Sequence, residues 1–85
     1  MIVAFFTSRD RLAKEFGRLR AALDPAGGLW IAWPKKVSGV ATDLDENIVR
    51  EIGLGGRLVD NKVCAIDDVW SGLRFVVRVK DRQGA

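Results

Sequence analysis

The sequence predicts an α/β protein with the element order β-α-β-α-β-β, folded as one domain over residues 1–85. Two apolar runs typical of buried strands each precede a segment with helical spacing of apolar residues, and two β-favouring runs follow. Right-handed helical crossovers make the first three strands parallel and put both helices on one face. The last strand then runs antiparallel in a mostly parallel, four-stranded sheet.

Length and composition limit what the chain can be. Its 85 residues are 48% apolar and 29% charged, which is typical of a globular domain, and no apolar run approaches the roughly 20 residues that span a bilayer. The segment MIVAFFTSRD lacks the features of a signal peptide, so we expect a cytoplasmic protein without membrane association. The chain has no histidine, which excludes His-based triads and His-containing zinc sites. Any catalysis would rest on carboxylates, lysines or Cys64, which we expect to be a buried apolar residue.

The first strand and helix follow directly from the start of the sequence. Ile2 to Ser8 is a continuous β-favouring run, and Thr7 with Asp10 fits a capping box at the start of a helix. The segment Asp24 to Gly28 contains proline and glycine, which end the helix. One apolar stripe along the helix consists of Leu12, Phe16, Leu19 and Leu23.

The second strand and helix repeat this arrangement. Leu29 to Trp33 is an apolar strand, and Asp43 with Glu46 fits another capping box. Gly53 to Gly56 ends the helix. The inner face of this helix consists of Leu44, Ile48, Val49 and Ile52.

The final two strands are predicted over Val59 to Asp67 and Ser71 to Lys80, joined by a short link through Asp68, Val69 and Trp70. The third strand begins with three consecutive polar residues, which is less usual. Their roles cannot be assigned from the sequence. They are Asp60, Asn61 and Lys62.

The first two strands are apolar on both faces, although both helices are expected on one face only. A protein surface outside the chain should therefore cover the second face, and we expect a homo-oligomer, most simply a dimer. Alternating residues of the two strands form two sets, namely Val3, Phe5, Trp30 and Ala32 on one face and Ile2, Ala4, Phe6, Leu29, Ile31 and Trp33 on the other.

The segment LDPAGGLWIAW resembles the proline-glycine-glycine turn and following strand of class I methyltransferases. That resemblance implies that the last strand inserts beside the second, which gives the sheet order 1-2-4-3. More closely, GLWIAWPKKVSGVATDL, VREIGL, LVDNKVCAID and WSGLRFVVR resemble the carboxyl-terminal portion of a small bacterial family of uncharacterised, methyltransferase-like proteins. The glycine-rich loop and acidic residue that bind S-adenosylmethionine in class I methyltransferases lie in an amino-terminal half. We therefore interpret the chain as a truncated Rossmann-like domain and expect no cofactor.

A candidate ligand site lies where the parallel strands end. Ligands of open α/β sheets bind outside the carboxyl ends of these strands. Lysines there would neutralise an anionic or nucleotide-like ligand, and a tryptophan would stack on a flat one. Alternatively, the tryptophan belongs to the core and the lysines are solvated. The candidate residues are Thr7, Ser8, Trp33, Lys35 and Lys36.

Three hypotheses of function remain at this stage. The favoured one is a non-enzymatic, methyltransferase-like module that pairs with a second copy or with a missing domain half. The second is a small-ligand site or degenerate enzyme around Trp33 and Lys35. The third is weak nucleic-acid binding, permitted by a net charge of +3, although the basic residues of the first helix fit a solvated face better. The acidic group Asp43, Asp45 and Glu46 is explained by a helix start, so we expect no metal site.

Overall fold

The computed structural model of the chain describes residues 2–24 and 26–77, which form a four-stranded sheet and two α-helices in the predicted order. None of the helices in this part of the chain combines the length and apolarity that crossing a membrane requires. Residues 78–80 of the predicted last strand lie outside the described residues. The elements are β1 (Ile2–Phe5), α1 (Arg9–Ala22), β2 (Leu29–Pro34), a 3-10 turn (Lys36–Ser38), α2 (Glu46–Gly55), β3 (Leu58–Ala65) and β4 (Trp70–Val77).

The strands are arranged in the order β1-β2-β4-β3, which confirms the predicted order. β1 pairs with β2 in parallel, whereas β4 pairs with both β2 and β3 in antiparallel orientation. The prediction of a mostly parallel sheet is therefore wrong, and the sheet is mixed. β3 runs in the same direction as β2, but β4 lies between them, so the two strands form no parallel ladder.

Both helices begin one or two residues away from the predicted caps. Ser8 caps α1 by accepting a hydrogen bond from the backbone N–H of Arg11 at 3.4 Å, where Thr7 was expected. Asp45 caps α2 by accepting from the N–H of Ile48 at 2.8 Å, where Asp43 was expected. The two predicted cap residues accept other hydrogen bonds: the Thr7 carbonyl accepts from the Thr42 hydroxyl, and the Asp43 carboxylate accepts from the Arg9 N–H at the start of α1.

Both helices pack against the ring of Phe75 in β4, and this contact marks the helix-covered face of the sheet. The rings of Phe16 and Phe75 meet edge to face with centroids 6.2 Å apart. Gly53 of α2 lies so close to the same ring that a Cβ atom there would overlap it. The buried core comprises Phe6, Leu12, Phe16, Leu23, Leu29, Ile31, Trp33, Leu44, Val49, Leu58, Leu73, Phe75 and Val77.

The opposite side of the sheet carries no helix among the described residues, and we call it the open face. Pairing places Val3, Trp30 and Arg74 in one row across the strands, and Phe5 lies in the row beside it. Side chains of paired residues point to the same side, and successive residues alternate between sides. The open face comprises Val3, Phe5, Trp30, Ala32, Pro34, Val59, Lys62, Cys64, Ile66, Trp70, Gly72, Arg74 and Val76.

Candidate functional site

The structure divides the five residues of the predicted strand-end site between two places. Thr7 and Ser8 line a groove of about 290 Å3 beside the start of α1, together with Phe5, Phe6, Arg11 and Glu15. The carbonyl of Thr7 accepts a hydrogen bond from the Thr42 hydroxyl at 2.7 Å, which ties this loop to the connection before α2. Neither Trp33 nor the two lysines line this groove.

The other three predicted residues do not form an open pocket. Trp33 is only 5% exposed and belongs to the core, as the alternative interpretation held. The Lys35 ammonium donates to the carbonyl of Asp67 at 2.5 Å, so it links β2 to the β3–β4 turn. Lys36 lies exposed in the 3-10 turn. Trp33 therefore offers no free ring face on which a flat ligand could stack.

The charges around the Thr7–Ser8 groove are mostly satisfied within α1. Arg11 lies 3.4 Å from Glu15, and Arg18 approaches the other oxygen of the same carboxylate at 2.5 Å. Glu15 itself lines the groove and would repel an anion there. Arg20 donates to the backbone carbonyl of Gly56 at 3.2 Å, so this basic residue is also engaged by the protein. Three basic residues of α1, Arg11, Arg18 and Arg20, are thus engaged by groups of the protein itself.

Within residues 2–24 and 26–77, only its own aromatic and aliphatic side chains cover the open face. Phe5 meets Trp70 edge to face with centroids 5.0 Å apart. Trp30 and Ile66 lie over Gly72, because a Cβ added at that glycine would come within 3.1 Å of Trp30 Cε3 and 2.9 Å of Ile66 Cδ1. These side chains form a layer one residue thick. Ala32 is buried beneath it although it is not part of the main core.

A shallow apolar groove of about 200 Å3 crosses this layer between Val3, Trp30, Cys64 and Ile66. Val3 is 44% exposed and Phe5 is 52% exposed, so the apolar exposure is large on edge strand β1. Cys64 is exposed as well, and the prediction that it is buried is wrong. It lies on the other edge strand, β3, where its partner across β4 is Gly72, which has no side chain to shield it.

Two cations share the open face with the aromatic layer. Lys62 and Arg74 are paired directly across β3 and β4, a like-charge arrangement that is unfavourable without a counter-ion. Neither forms an ion pair within the part of the chain that the structure describes. The Arg74 guanidinium lies against Gly28, where a Cβ would come within 2.5 Å of Nε. Gly28 is therefore needed for this side chain to lie along the sheet.

The three consecutive polar residues of β3, Asp60 to Lys62, coincide with a β-bulge between Asp60 and Lys62. The bulge turns Asp60 toward α2, where its carboxylate lies 3.0 Å from Arg50 Nε. Arg50 also contacts Glu46 at 2.9 Å, and hydrogen bonds to Glu46 and Asp60 raise the pKa of the guanidinium. No local sequence pattern indicates this pair, because its members are ten positions apart and lie on different elements.

The acidic residues considered as metal ligands are engaged in the helix starts. Asp43 accepts from the Arg9 backbone N–H at 2.7 Å, Asp45 caps α2, and Glu46 pairs with Arg50. Within residues 2–24 and 26–77 no three ligand-type side chains come together as a metal-binding group. Asp67, predicted as the last residue of the third strand, lies in the β3–β4 turn instead. Its carboxylate accepts from the N–H groups of Trp70 and Val69, and these bonds lower its pKa.

No family model matches the chain, and no curated protein matches it.

Proposed function

We propose that the chain is a non-enzymatic, methyltransferase-like module of the bacterial cytoplasm that acts by protein association, and that the partner is a second copy of itself. The motif LDPAGGLWIAW and the sheet order β1-β2-β4-β3 support the methyltransferase-like part of this proposal. A lone cysteine, which leaves no internal disulfide to form, supports the location. The association is supported by the open face.

The observation that carries the proposal is the apolar exposure of the open face. Val3, Phe5 and Ile66 are each at least 40% exposed, and they flank the half-buried Trp30 and Trp70. Contiguous apolar patches of this kind mark contact sites more often than free surface. Burying them against a second copy would remove apolar area from water at about 25 cal/mol per Å2.

The size of the open face sets the expected strength of the association. Four strands about 4.8 Å apart, with four to eight residues each at about 3.3 Å per residue, give a face of roughly 400 Å2. Two such faces bury at most about 800 Å2, which is the size of weak, transient protein interfaces. We therefore expect a dimer that dissociates on dilution in the micromolar range rather than a permanent one.

Light scattering after size exclusion tests this proposal across a dilution series. The expected mass approaches twice 9.4 kDa at high concentration and falls toward 9.4 kDa on dilution. Val3→Lys places a charge on the open face and should shift the transition to higher concentration. Val37→Lys is the matched control, because Val37 is 90% exposed on the 3-10 turn and away from the sheet.

A chain that remains monomeric at every concentration would contradict self-association. If that monomer also bound a hydrophobic dye on the open face, the result would favour the other occupant that the resemblance implies, an amino-terminal domain half. Dye binding lost in Val3→Lys and kept in Val37→Lys would locate the dye on this face.

Single-stranded nucleic acid is a second candidate function, because aromatic and basic side chains share the open face. Phe5, Trp30 and Trp70 are suited to stacking with bases, while Lys62 and Arg74 are suited to phosphates. The test is the anisotropy of a labelled oligonucleotide at 50 and 200 mM salt, where affinity should fall steeply. Lys62→Ala with Arg74→Gln should abolish binding. The control Lys14→Ala with Lys36→Ala removes equal charge elsewhere and should not.

Ligand binding around Trp33 and Lys35 stays a prediction that no contact in the structure favours, because the ring is in the core and the ammonium is engaged. Quenching of tryptophan fluorescence by nucleotides would support it if Lys35→Ala with Lys36→Ala removed the effect. Equal quenching in the variant would contradict it.

A further inference from the structure

The outer edge of β1 presents backbone groups that have no partner in the sheet. Ile2 donates its N–H to Gly28 at 3.0 Å, and Phe6 donates to Ala32 at 3.0 Å, so even-numbered residues face β2. Backbone groups alternate along a strand, and the N–H and C=O groups of Val3 and Phe5 therefore point away from the sheet. No described residue forms a hydrogen bond with these four groups.

The two edges of the sheet differ in how they resist strand addition. Edge strand β3 carries a bulge and charged side chains at Asp60 and Lys62, which are the usual protections of an exposed edge. Edge strand β1, with the sequence IVAF, has no charge, no proline and no bulge. Pairing at β3 would also bring like charges of two copies near each other, whereas pairing at β1 would not.

We propose that two copies join through antiparallel pairing of their β1 strands, centred on Ala4. This inference rests on the proposed self-association and places its contact at the β1 edge of the open face, so the two open faces lie side by side in one sheet instead of packing on each other. In this register Val3 pairs with the partner's Phe5, and Phe5 pairs with the partner's Val3. Each pair exchanges two hydrogen bonds, so four bonds satisfy all the outward N–H and C=O groups of both strands.

The side chains of β1 fit the same register. Val3 and Phe5 both lie on the open face, so each of the two pairs joins a β-branched and an aromatic residue, a favourable cross-strand combination. Ala4 lies at the centre of the contact, where its small side chain leaves room for its copy. The pairing shields Val3 and Phe5, which are 44% and 52% exposed on the single chain. It yields a continuous sheet of eight strands.

Val3→Pro tests whether the dimer forms through the β1 edge or through other parts of the open face. Proline removes an outward N–H and leaves the bonds between β1 and β2 intact, a position where edge strands tolerate it. Two of the four intermolecular bonds are lost by symmetry, and the dimer dissociation constant should rise roughly 10- to 100-fold. Val3→Thr is the matched control, since it keeps the N–H and the branched shape, and its dissociation constant should stay within about threefold of the parent value.

The outcomes separate the two proposals. A parent chain that never dimerises overturns self-association and the edge contact together. A parent dimer that persists equally in Val3→Pro overturns the edge contact but leaves self-association standing. Circular dichroism of the monomeric variants checks that Val3→Pro is folded.

Amide exchange by NMR on the unmodified chain tests the inference without any substitution. The Val3 and Phe5 amides should exchange rapidly in the dilute monomer and become at least tenfold slower at concentrations where the dimer forms. The Ile2 and Phe6 amides, which already donate to β2, serve as the internal reference. Rapid exchange of Val3 and Phe5 in a sample shown to be dimeric would overturn the edge contact.

Discussion

The two faces of the sheet are built from similar apolar residues but are buried in different ways. On the helix-covered face, Phe75 is fully buried between Phe16 and the backbone of Gly53. On the open face, Phe5 meets Trp70 in a comparable edge-to-face pair but remains 52% exposed. The difference shows that apolar strand composition predicts burial only where another element packs on it. One face supplies stability to the chain, while the other is available for a partner.

Replacing one phenylalanine on each face should give the largest difference between them. Phe75→Ala empties a fully buried site and should lower the free energy of unfolding by about 3–5 kcal/mol. Phe5→Ala removes a half-exposed ring and its contact with Trp70, and should cost about 1 kcal/mol in the monomer. Urea unfolding of dilute samples measures both values. Equal losses for the two variants would mean that the open face contributes to the core as much as the covered face does.

Replacing one glycine in each helix by alanine tests how closely the helices pack on the covered face. Gly53→Ala places a Cβ against the Phe75 ring and should destabilise the chain by about 1–3 kcal/mol, despite the higher helix propensity of alanine. Gly17→Ala in α1 meets no atom within 4 Å and should stabilise it by about 0.5–1 kcal/mol. Thermal and urea unfolding give the signs. Stabilisation by Gly53→Ala would show that α2 does not pack on Phe75 as closely as described.

Gly72→Ala applies the same test to the open face. The new Cβ would lie 2.9 Å from Ile66 Cδ1 and 3.1 Å from Trp30 Cε3. These side chains have no layer above them and can move outward, so the loss should be less than about 1 kcal/mol, below the overpacking cost of a filled core. The emission of Trp30 should change as the ring moves. A loss as large as that of Gly53→Ala would contradict the idea of a thin, adjustable layer.

The sequence was sufficient where local pattern determines structure. The stripe Leu12, Phe16 and Leu23 is buried as helical spacing requires, and the four strands occur in the expected order. The exact caps were missed because Thr7 and Ser8 are chemically equivalent as caps, and only the chain direction after β1 selects Ser8. The exposure of Cys64 was missed because an edge strand and a central strand look alike in sequence.

The candidate site was harder to predict than the fold, because the residues that form it are far apart in the sequence. Trp33 and Trp30 differ by three positions in one strand, yet one belongs to the core and the other to the open face. Strand alternation places the two tryptophans on opposite faces of the sheet. Which of these faces the helices cover depends on the handedness of the crossovers. The bulge at Asp60 and its contact with Arg50 also arise only when α2 and β3 are brought together.

The pH dependence of the β3–β4 turn gives the smallest expected effect and tests how Trp70 is held on the open face. Hydrogen bonds from the N–H groups of Trp70 and Val69 lower the pKa of Asp67 below its ordinary value of 3.8. A carboxyl whose pKa is lowered in the folded state contributes stability above its unfolded pKa and loses it as the pH falls through the folded value. Stability should therefore decline below about pH 4 more steeply in the parent chain than in Asp67→Asn, whose amide oxygen accepts the same bonds without titrating. Tryptophan emission and urea midpoints between pH 5 and pH 2 measure the difference. Identical acid profiles would show that the Asp67 charge does not hold the turn, and that the position of Trp70 depends on its contact with Phe5.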